Sequence, residues 1–410
     1  MNATTGFARA ERVSKKVLKE EVPFEVHELF FSRTDQRGVI ETGNSVFKRI
    51  AQYNWDQLLG APHKIIRHPD MPRAVFWLLW KTIQAGRPVG AYVKNLAADG
   101  RYYWVFAVVT PVDGGYLSVR LKPTSGLLKT VEAAYSALAI RERDENLDPS
   151  ESAEILLEQL KELGFRDYVS FMTHALAEEY QARSEAMGKV TNLELRNYRK
   201  LMTVASRMLN EAGKIEKKYG TNRFVALNMR VRAARMGGAG KSVGVISNDY
   251  NIHSDAMLEQ MDVFTSRATE LGQNVAKGCF LQLTASLQAE AIKLFEAETD
   301  LPDEIDTDLE ARFLSDQLKH YQNEAHNGIL HVSKSMMSFA RRTEEMKRIV
   351  SGLEVTRIMG MIECSHLHER GKALLNVLGD LEVYQQEVSD ILSRIDDANM
   401  DLVATVQQME

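Results

Sequence analysis

Apolar residues recur along this chain with two different periods, and the change of period marks a change of architecture. Between residues 24 and 124, short apolar runs are broken by turn residues. Runs at 28–33 and 39–42 flank Asp35-Gln36-Arg37-Gly38, which predicts a hairpin. Residues 44–84 carry short helical patterns that stop at Gly86 and Pro88. Three further strands are predicted at 89–96, 102–112 and 116–122, separated by Asp99-Gly100 and Asp113-Gly114-Gly115. Such residues suit tight turns because the central positions need positive φ. Two strands, a helical crossover and a three-strand meander predict an α+β domain: one five-stranded antiparallel sheet with helices packed on one face.

Beyond the head the period changes. Leu147-Asp148-Pro149-Ser150 marks a break, and from Glu151 apolar and small residues recur at alternating steps of three and four. One seam runs Leu195, Tyr198, Met202, Ala205, Leu209, Ala212, and another Met257, Met261, Phe264, Ala268, Leu271, Val275. A third runs Leu314, Leu318, Tyr321, Ala325, Gly328, Val332, Ser335, Phe339. After a break near Gly371 the pattern resumes as Leu374, Leu378, Leu381, Gln385, Val388, Leu392, Ile395, Asn399, Leu402. These heptads predict a long all-α helical hairpin and coiled-coil bundle. Seams containing Gln, Asn, Ser and Gly need partner helices, which intrachain folding or a second copy could supply; a parallel homodimer is expected.

Composition sharpens the division. All four Trp fall at or before Trp104, and seven of the nine Pro at or before Pro123. A Pro-poor body of that length favours long helices. With 44% hydrophobic and 26% charged residues over 410 positions, the chain is globular and long enough for two or three units. A net charge of −5 gives no reason to expect nucleic-acid binding. There is no run of about 18 apolar residues and no secretory leader pattern, so no membrane span is expected. Cys279 and Cys364 lack metal or redox spacing and suit a reducing compartment, so the expected location is cytoplasmic. On a helix, His366 points away from the face shared by Cys364 and His368, and no fourth ligand is evident, so no metal site is expected. Gly240-Lys241-Ser242 is not a phosphate loop, because that motif needs glycine where Arg235 stands. No kinase box, cyclase signature or nucleophile–base pair is visible, and the chain is not expected to be an enzyme.

Several head motifs resemble the PAS domain of aerotaxis receptors. They are Phe31-Ser32-Arg33-Thr34-Asp35, Gly43-Asn44, Leu59-Gly60-Ala61-Pro62-His63 and, most specifically, Arg67-His68-Pro69-Asp70-Met71-Pro72. The resemblance continues through Val93-Lys94-Asn95, Tyr103-Trp104-Val105 and Tyr116-Leu117-Ser118-Val119-Arg120. It implies a non-covalently bound FAD whose redox state is the signal. By that resemblance Asn44 and Asn95 are amide positions for the flavin, and Trp104 joins the cofactor site. Phe76 and Trp80, four apart on one helix face, suit the wall of a flat slot or, equally, an ordinary core. Arg67 could stabilise reduced flavin or simply hold Asp70 in an ion pair. His68 is the group of the hexapeptide that titrates near neutrality. Asn44 could instead N-cap the helix starting near Ser45, and His63 could cap a turn. A photosensor forming a cysteine adduct is excluded, because both cysteines lie outside the head. A haem sensor remains an alternative through His27, His63 or His68, as does a domain with no cofactor.

Within the body, Leu227-Asn228, Ala233-Ala234-Arg235, Gly237, Ala239-Gly240-Lys241 and Val245 resemble, in degenerate form, the signalling tip of methyl-accepting chemotaxis proteins. Arg232 and Gly238 stand where the family has Glu, and Val243 where it has Phe. The resemblance makes Leu227, Asn228, Arg232, Arg235, Gly237, Gly238 and Gly240 candidate contacts for the kinase CheA, the adaptor CheW or other receptors. The sequence thus divides into an N-terminal segment (1–23), a PAS sensor domain (24–124), a linker or signal helix (125–150), a chemoreceptor-like hairpin (151–300, tip near 237–240) and an additional helical region (301–410). Together these features imply a redox or oxygen sensor of the aerotaxis type; the alternatives are a non-redox PAS scaffold and a haem-based gas sensor.

Overall fold

The first reversal of the chain is fixed by its own side chains. Strand β1 (Leu29–Asp35) turns into β2 (Ile40–Gly43) where the Asp35 carboxylate accepts the backbone N–H groups of Arg37 and Val39, at 2.8 and 2.9 Å. Gly38 takes the left-handed conformation at φ 78°. Short helices α1 (Ser45–Ala51) and α2 (Trp55–Leu58), a 3₁₀ turn at His63–Ile66 and helix α3 (Arg73–Gln84) follow. Strands β3 (Val89–Leu96), β4 (Tyr102–Val112) and β5 (Gly115–Leu121) complete an antiparallel five-stranded sheet of order β2-β1-β5-β4-β3. The expected strands are all present, β3 and β4 with the expected bounds and the other three with ends moved by one or two residues. Strands β1 and β5 pair along their whole length, from Leu29 opposite Leu121 to Asp35 opposite Gly115. At that last pair a Cβ on Gly115 would lie 1.8 Å from the Thr34 carbonyl oxygen, so the strands can close there only over glycine.

The remaining chain is helical: α4 (Leu127–Asp144), α5 (Pro149–Glu162), α6 (Tyr168–Ala186), α7 (Leu193–Asn222), α8 (Val225–Arg235), α9 (Lys241–Glu296), α10 (Thr307–His366) and α11 (Lys372–Gln407). The computed structural model describes residues 17–189, 193–222, 225–235, 237–298, 301–302 and 305–409. Most of the expected N-terminal segment 1–23, Phe224 and Met236 near the tip, and Asp300 and Asp303 of the expected break lie outside them. Among the described residues no helix is long and apolar enough to cross a membrane.

The chain forms two units, one made of the chain up to residue 191 with residues 280–322, the other of residues 192–279 and 323–410. This differs from the division at 151 and 301 read from the sequence. Helices α4 and α6 and the segment 280–322 belong with the sheet because they carry side chains that bury its second face, while α5 packs on α3. Tyr135 of α4 packs against Trp104, the Tyr168 hydroxyl of α6 donates to the Gly90 carbonyl, and Phe295 packs edge-on to Phe31. The expectation of helices on one face is therefore corrected: both faces are covered. Residues 103–110 of β4 are buried without interruption, the pattern of a strand enclosed on two sides.

In the second unit the four seams close on one another within one chain. Helices α7 and α11 run antiparallel, with Arg207 bonded to Asp401, Glu211 to Arg394 and Lys218 to Glu387. Antiparallel contacts join α9 to α10 (Phe264 on Phe339; Arg342 to Gln260) and α10 to α11 (Arg357 to Gln385). The Tyr219 hydroxyl of α7 donates to the Ser254 carbonyl of α9. Each helix thus meets two neighbours in an up-down-up-down bundle. All nine positions of the last seam, Leu374 to Leu402, are buried, Gln385 and Asn399 included. Short 3₁₀ turns at Gly237–Gly240 and His368–Gly371 make the two reversals at one end.

Candidate functional site

Strand periodicity sends alternate side chains of β5 to opposite faces, so Tyr116, Ser118 and Arg120 point one way and Leu117, Val119 and Leu121 the other. The first set faces a cavity of about 320 Å³ between the sheet and α3. That volume lies in the range of about 300–1,000 Å³ usual for small-molecule sites. Helix α3 contributes Phe76, Leu79, Trp80 and Ile83, which the i, i+3, i+4, i+7 spacing places on one face. Val93 and Asn95 of β3 and Ala107 and Val109 of β4 form the floor. Trp80 meets Tyr116 edge-on at 5.5 Å and closes over Gly38, where a Cβ would sit 3.1 Å from the indole.

The polar groups of this apolar slot are unusual. Arg120 is buried, and its Nη2 donates to Ser32 Oγ at 2.9 Å and lies 2.6 Å from His63 Nε2. Among the described residues its Nη1 has no hydrogen-bond partner, nor has Asn95 Nδ2 or Ser118 Oγ. Buried polar atoms rarely stay unpaired, and those that do call for an explanation. Burial lowers the Arg120 guanidinium to about 10, which leaves it charged at neutral pH. Burial, reinforced by the Arg120 charge, pushes His63 down to about 3 and keeps it a neutral acceptor.

Four of the eight residues expected at the cofactor site line the cavity: Arg67, Phe76, Trp80 and Asn95. Arg67 does not pair with Asp70; its guanidinium stacks 3.6 Å above the Phe76 ring, and burial lowers its pKa against the opposing pull of the Glu142 charge. The other four lie elsewhere. Trp104 has the opposite strand parity from Val105 and Ala107 and packs on Tyr135 of α4. Asn44 is the N-cap of α1, accepting from Phe47 N–H and Phe31 N–H and donating to the Leu29 carbonyl. Asp70 is exposed and sits 3.7 Å from His68 and 3.9 Å from Lys94. His68 does not titrate near neutrality: burial, with the nearby Lys94 charge, pushes it down to about 4.

The sequence did not single out Ser32, Ser118 and Arg120 as site residues. Their alternation on β1 and β5 was available as a signal, but the pairing that brings both strands to His63 was not. In the second unit, Leu227, Asn228, Arg232, Arg235, Gly237 and Gly238 are exposed, while Met229 and Ala233 beside them are buried in the bundle. Gly240 ends the 3₁₀ turn of that tip.

The PAS fold family is matched over residues 40–119. The aerotaxis receptor of Escherichia coli is 35% identical over 127 residues, 30% of this chain and 25% of the receptor. A nitrogen fixation regulatory protein of Klebsiella pneumoniae is 32% identical over 81 residues, 20% of this chain and 16% of that protein. The chain therefore spans about a quarter and about a sixth of the lengths of these two relatives. A solved PAS domain from Colwellia psychrerythraea aligns at 20% identity and a TM-score of 0.21, covering 23% of this chain and 86% of that one. The head of the chain is a PAS domain, similar in sequence to that of an aerotaxis receptor.

Proposed function

We propose that this chain is a signal-transduction sensor whose PAS domain holds a flavin, FAD by its likeness to the aerotaxis receptor, and reports redox or oxygen state through its helices. The observation that carries this reading is the set of unpaired polar atoms, Arg120 Nη1, Asn95 Nδ2 and Ser118 Oγ, opposite an apolar helix face. An isoalloxazine has the complementary division, with an apolar end and an edge rich in acceptors. Phe76, Leu79 and Trp80 would hold the ring plane; Asn95, Ser118 and Arg120 would bind its polar edge. When bound, the flavin supplies reversible electron uptake, and the protein supplies orientation and counter-charge.

Transmission has a short route within the first unit. Ser32, which accepts from Arg120, lies on β1 between Phe31 and Arg33. Those two neighbours face the other way: Phe31 packs on Phe295 near the end of α9, and Arg33 bonds Glu310 at the start of α10. A shift of β1 by the cavity ligand therefore bears directly on both helices. Glu179 of α6 accepts from Thr124 N–H, Ser125 N–H, the Ser125 hydroxyl and the Tyr92 hydroxyl, tying the exit of the sheet to the same layer. The exposed residues Leu227, Asn228, Arg232, Arg235, Gly237 and Gly238 are the candidate surface for a chemotaxis partner of the CheA or CheW kind, with Arg232 altering its charge. Because the bundle seams are filled within one chain, a homodimer would use other surfaces.

Haem is the weaker reading. His63 Nε2 already faces the Arg120 guanidinium at 2.6 Å, which competes for the lone pair an iron would need. The test is direct. Protein purified from cells with ample flavin should carry the visible absorbance of oxidised flavin and lose it on reduction; a colourless protein that takes up no added FAD refutes the proposal.

A further inference from the structure

Three arginines line the cavity, and they differ in what meets their charge. Arg37 is paired with Asp35 at 2.9 Å. Arg67 lies on the Phe76 ring and feels the Glu142 carboxylate. Arg120 is the most deeply buried of the three, and among the described residues no carboxylate pairs with it. Its surroundings are neutral: Ser32 of β1, His63 from the 3₁₀ turn, Tyr103 of β4, and the rings of Phe30 and Phe47 at 5.7 and 5.4 Å. Removing a cation from water without a counter-charge costs several kcal/mol in general, so the fold maintains this group against a penalty.

The hydrogen bonds define its orientation. Ser32 and His63 both hold Nη2, which leaves Nη1 as the donor without a partner. His63 can do this only as a neutral acceptor, and burial beside Arg120 keeps it neutral. The 3₁₀ turn and β1 thus act as two brackets on one guanidinium.

We infer that Arg120 is the anion-compensating residue of the site, with His63 as its positioning residue, so that the cavity favours a ligand carrying a full negative charge over the same ligand in its neutral form. This rests on the flavin reading and adds to it a charge state. Oxidised isoalloxazine is neutral; taking up two electrons and one proton from a reductant leaves it an anion, and a second proton makes it neutral again. Arg120 would hold the bound reduced ring at the anionic stage, with the second proton left in solvent.

The experiment compares affinities of the full chain for oxidised FAD and for FAD reduced by dithionite, under anaerobic conditions. The wild-type protein should prefer the reduced form, and Arg120→Met should lose that preference by roughly 10- to 100-fold, the effect of removing a hydrogen bond to a charged group. Arg120→Lys, which keeps the charge but not the fork, should retain part of it. An unchanged ratio in folded Arg120→Met overturns the inference while leaving flavin binding intact; a wild-type protein that binds neither form overturns the flavin reading itself. Should Arg120→Met fail to fold by circular dichroism, the wild-type protein decides alone. Its reduced flavin should keep the anionic spectrum at pH values where free reduced flavin becomes neutral, and a protonation step at the same pH as free flavin overturns the inference.

Discussion

The two faces of the PAS sheet treat buried charge in opposite ways. On the face covered by α4, α6 and the 280–322 segment, charges are matched within the chain. Glu179 receives four donors, Arg33 meets Glu310, and Arg183 meets Glu290 at 2.8 Å. The orphans there are neutral, such as Trp104 Nε1 and the Tyr135 hydroxyl. On the cavity face a permanent cation is buried with one of its nitrogens unpaired. The first face has its charges matched as folded, so its charged groups serve stability and coupling. The second is complete only with something added, which is how a binding face differs from a packing face.

Substitutions should separate the two faces, and the largest effect is expected at Glu179. Glu179→Ala leaves two backbone N–H groups and two hydroxyls without their acceptor and should cost about 3–5 kcal/mol in denaturant unfolding. Flavin-free Arg120→Met should lose no stability, because it removes a buried charge that lacks a counter-ion. Comparable losses in both variants would erase the contrast.

The two tryptophans provide the next comparison. Trp104→Ala should destabilise the protein by about 3 kcal/mol while leaving flavin per folded molecule unchanged. Trp80→Ala should abolish flavin retention, read from absorbance after gel filtration. Flavin loss in Trp104→Ala with its fold intact would place Trp104 in the site after all.

Acid should test the His63–Arg120 contact of the cavity face. His63 is neutral in the fold and has an ordinary value near 6.5, so below that pH the unfolded chain takes up a proton that the native state refuses. Stability should therefore fall between about pH 6.5 and 3, by roughly 1.4 kcal/mol per pH unit from this group. His63→Gln should remove its share of that slope and leave the part that His68, lowered to about 4, contributes above that pH. The smallest effect belongs to Ser118→Ala: its hydroxyl has no partner, so the flavin-free protein should change by less than about 0.5 kcal/mol, while flavin affinity should weaken.

Much of this was legible in the residues. The five strands followed from turn chemistry at Asp35–Gly38, Asp99-Gly100 and Asp113–Gly115, which acts over three or four positions. The heptad seams reached the core because their period is that of a helix packing against neighbours. Phe76 and Trp80 were found as a pair because a helix face can be counted. Trp104 was misplaced for an equally physical reason. Both parities of β4 are buried, so its pattern carries no sign of which side faces the cavity. Asn44 offered two roles, and its three hydrogen bonds inside the fold decide for the cap.

Sequence alone determined the elements, their period and the likeness of the head to an aerotaxis PAS domain, and it pointed to four residues that line the cavity. Tertiary structure decided which side of the sheet is hollow, which helices cover the other side, and that one chain closes its own four-helix bundle. It also placed His63 against Arg120, 57 positions away in the chain, with no carboxylate of the described residues paired to either. Local patterns are set by φ, ψ and the spacing of side chains along one element. A partnerless charge is a property of what arrives from other elements, and only the packed structure contains it.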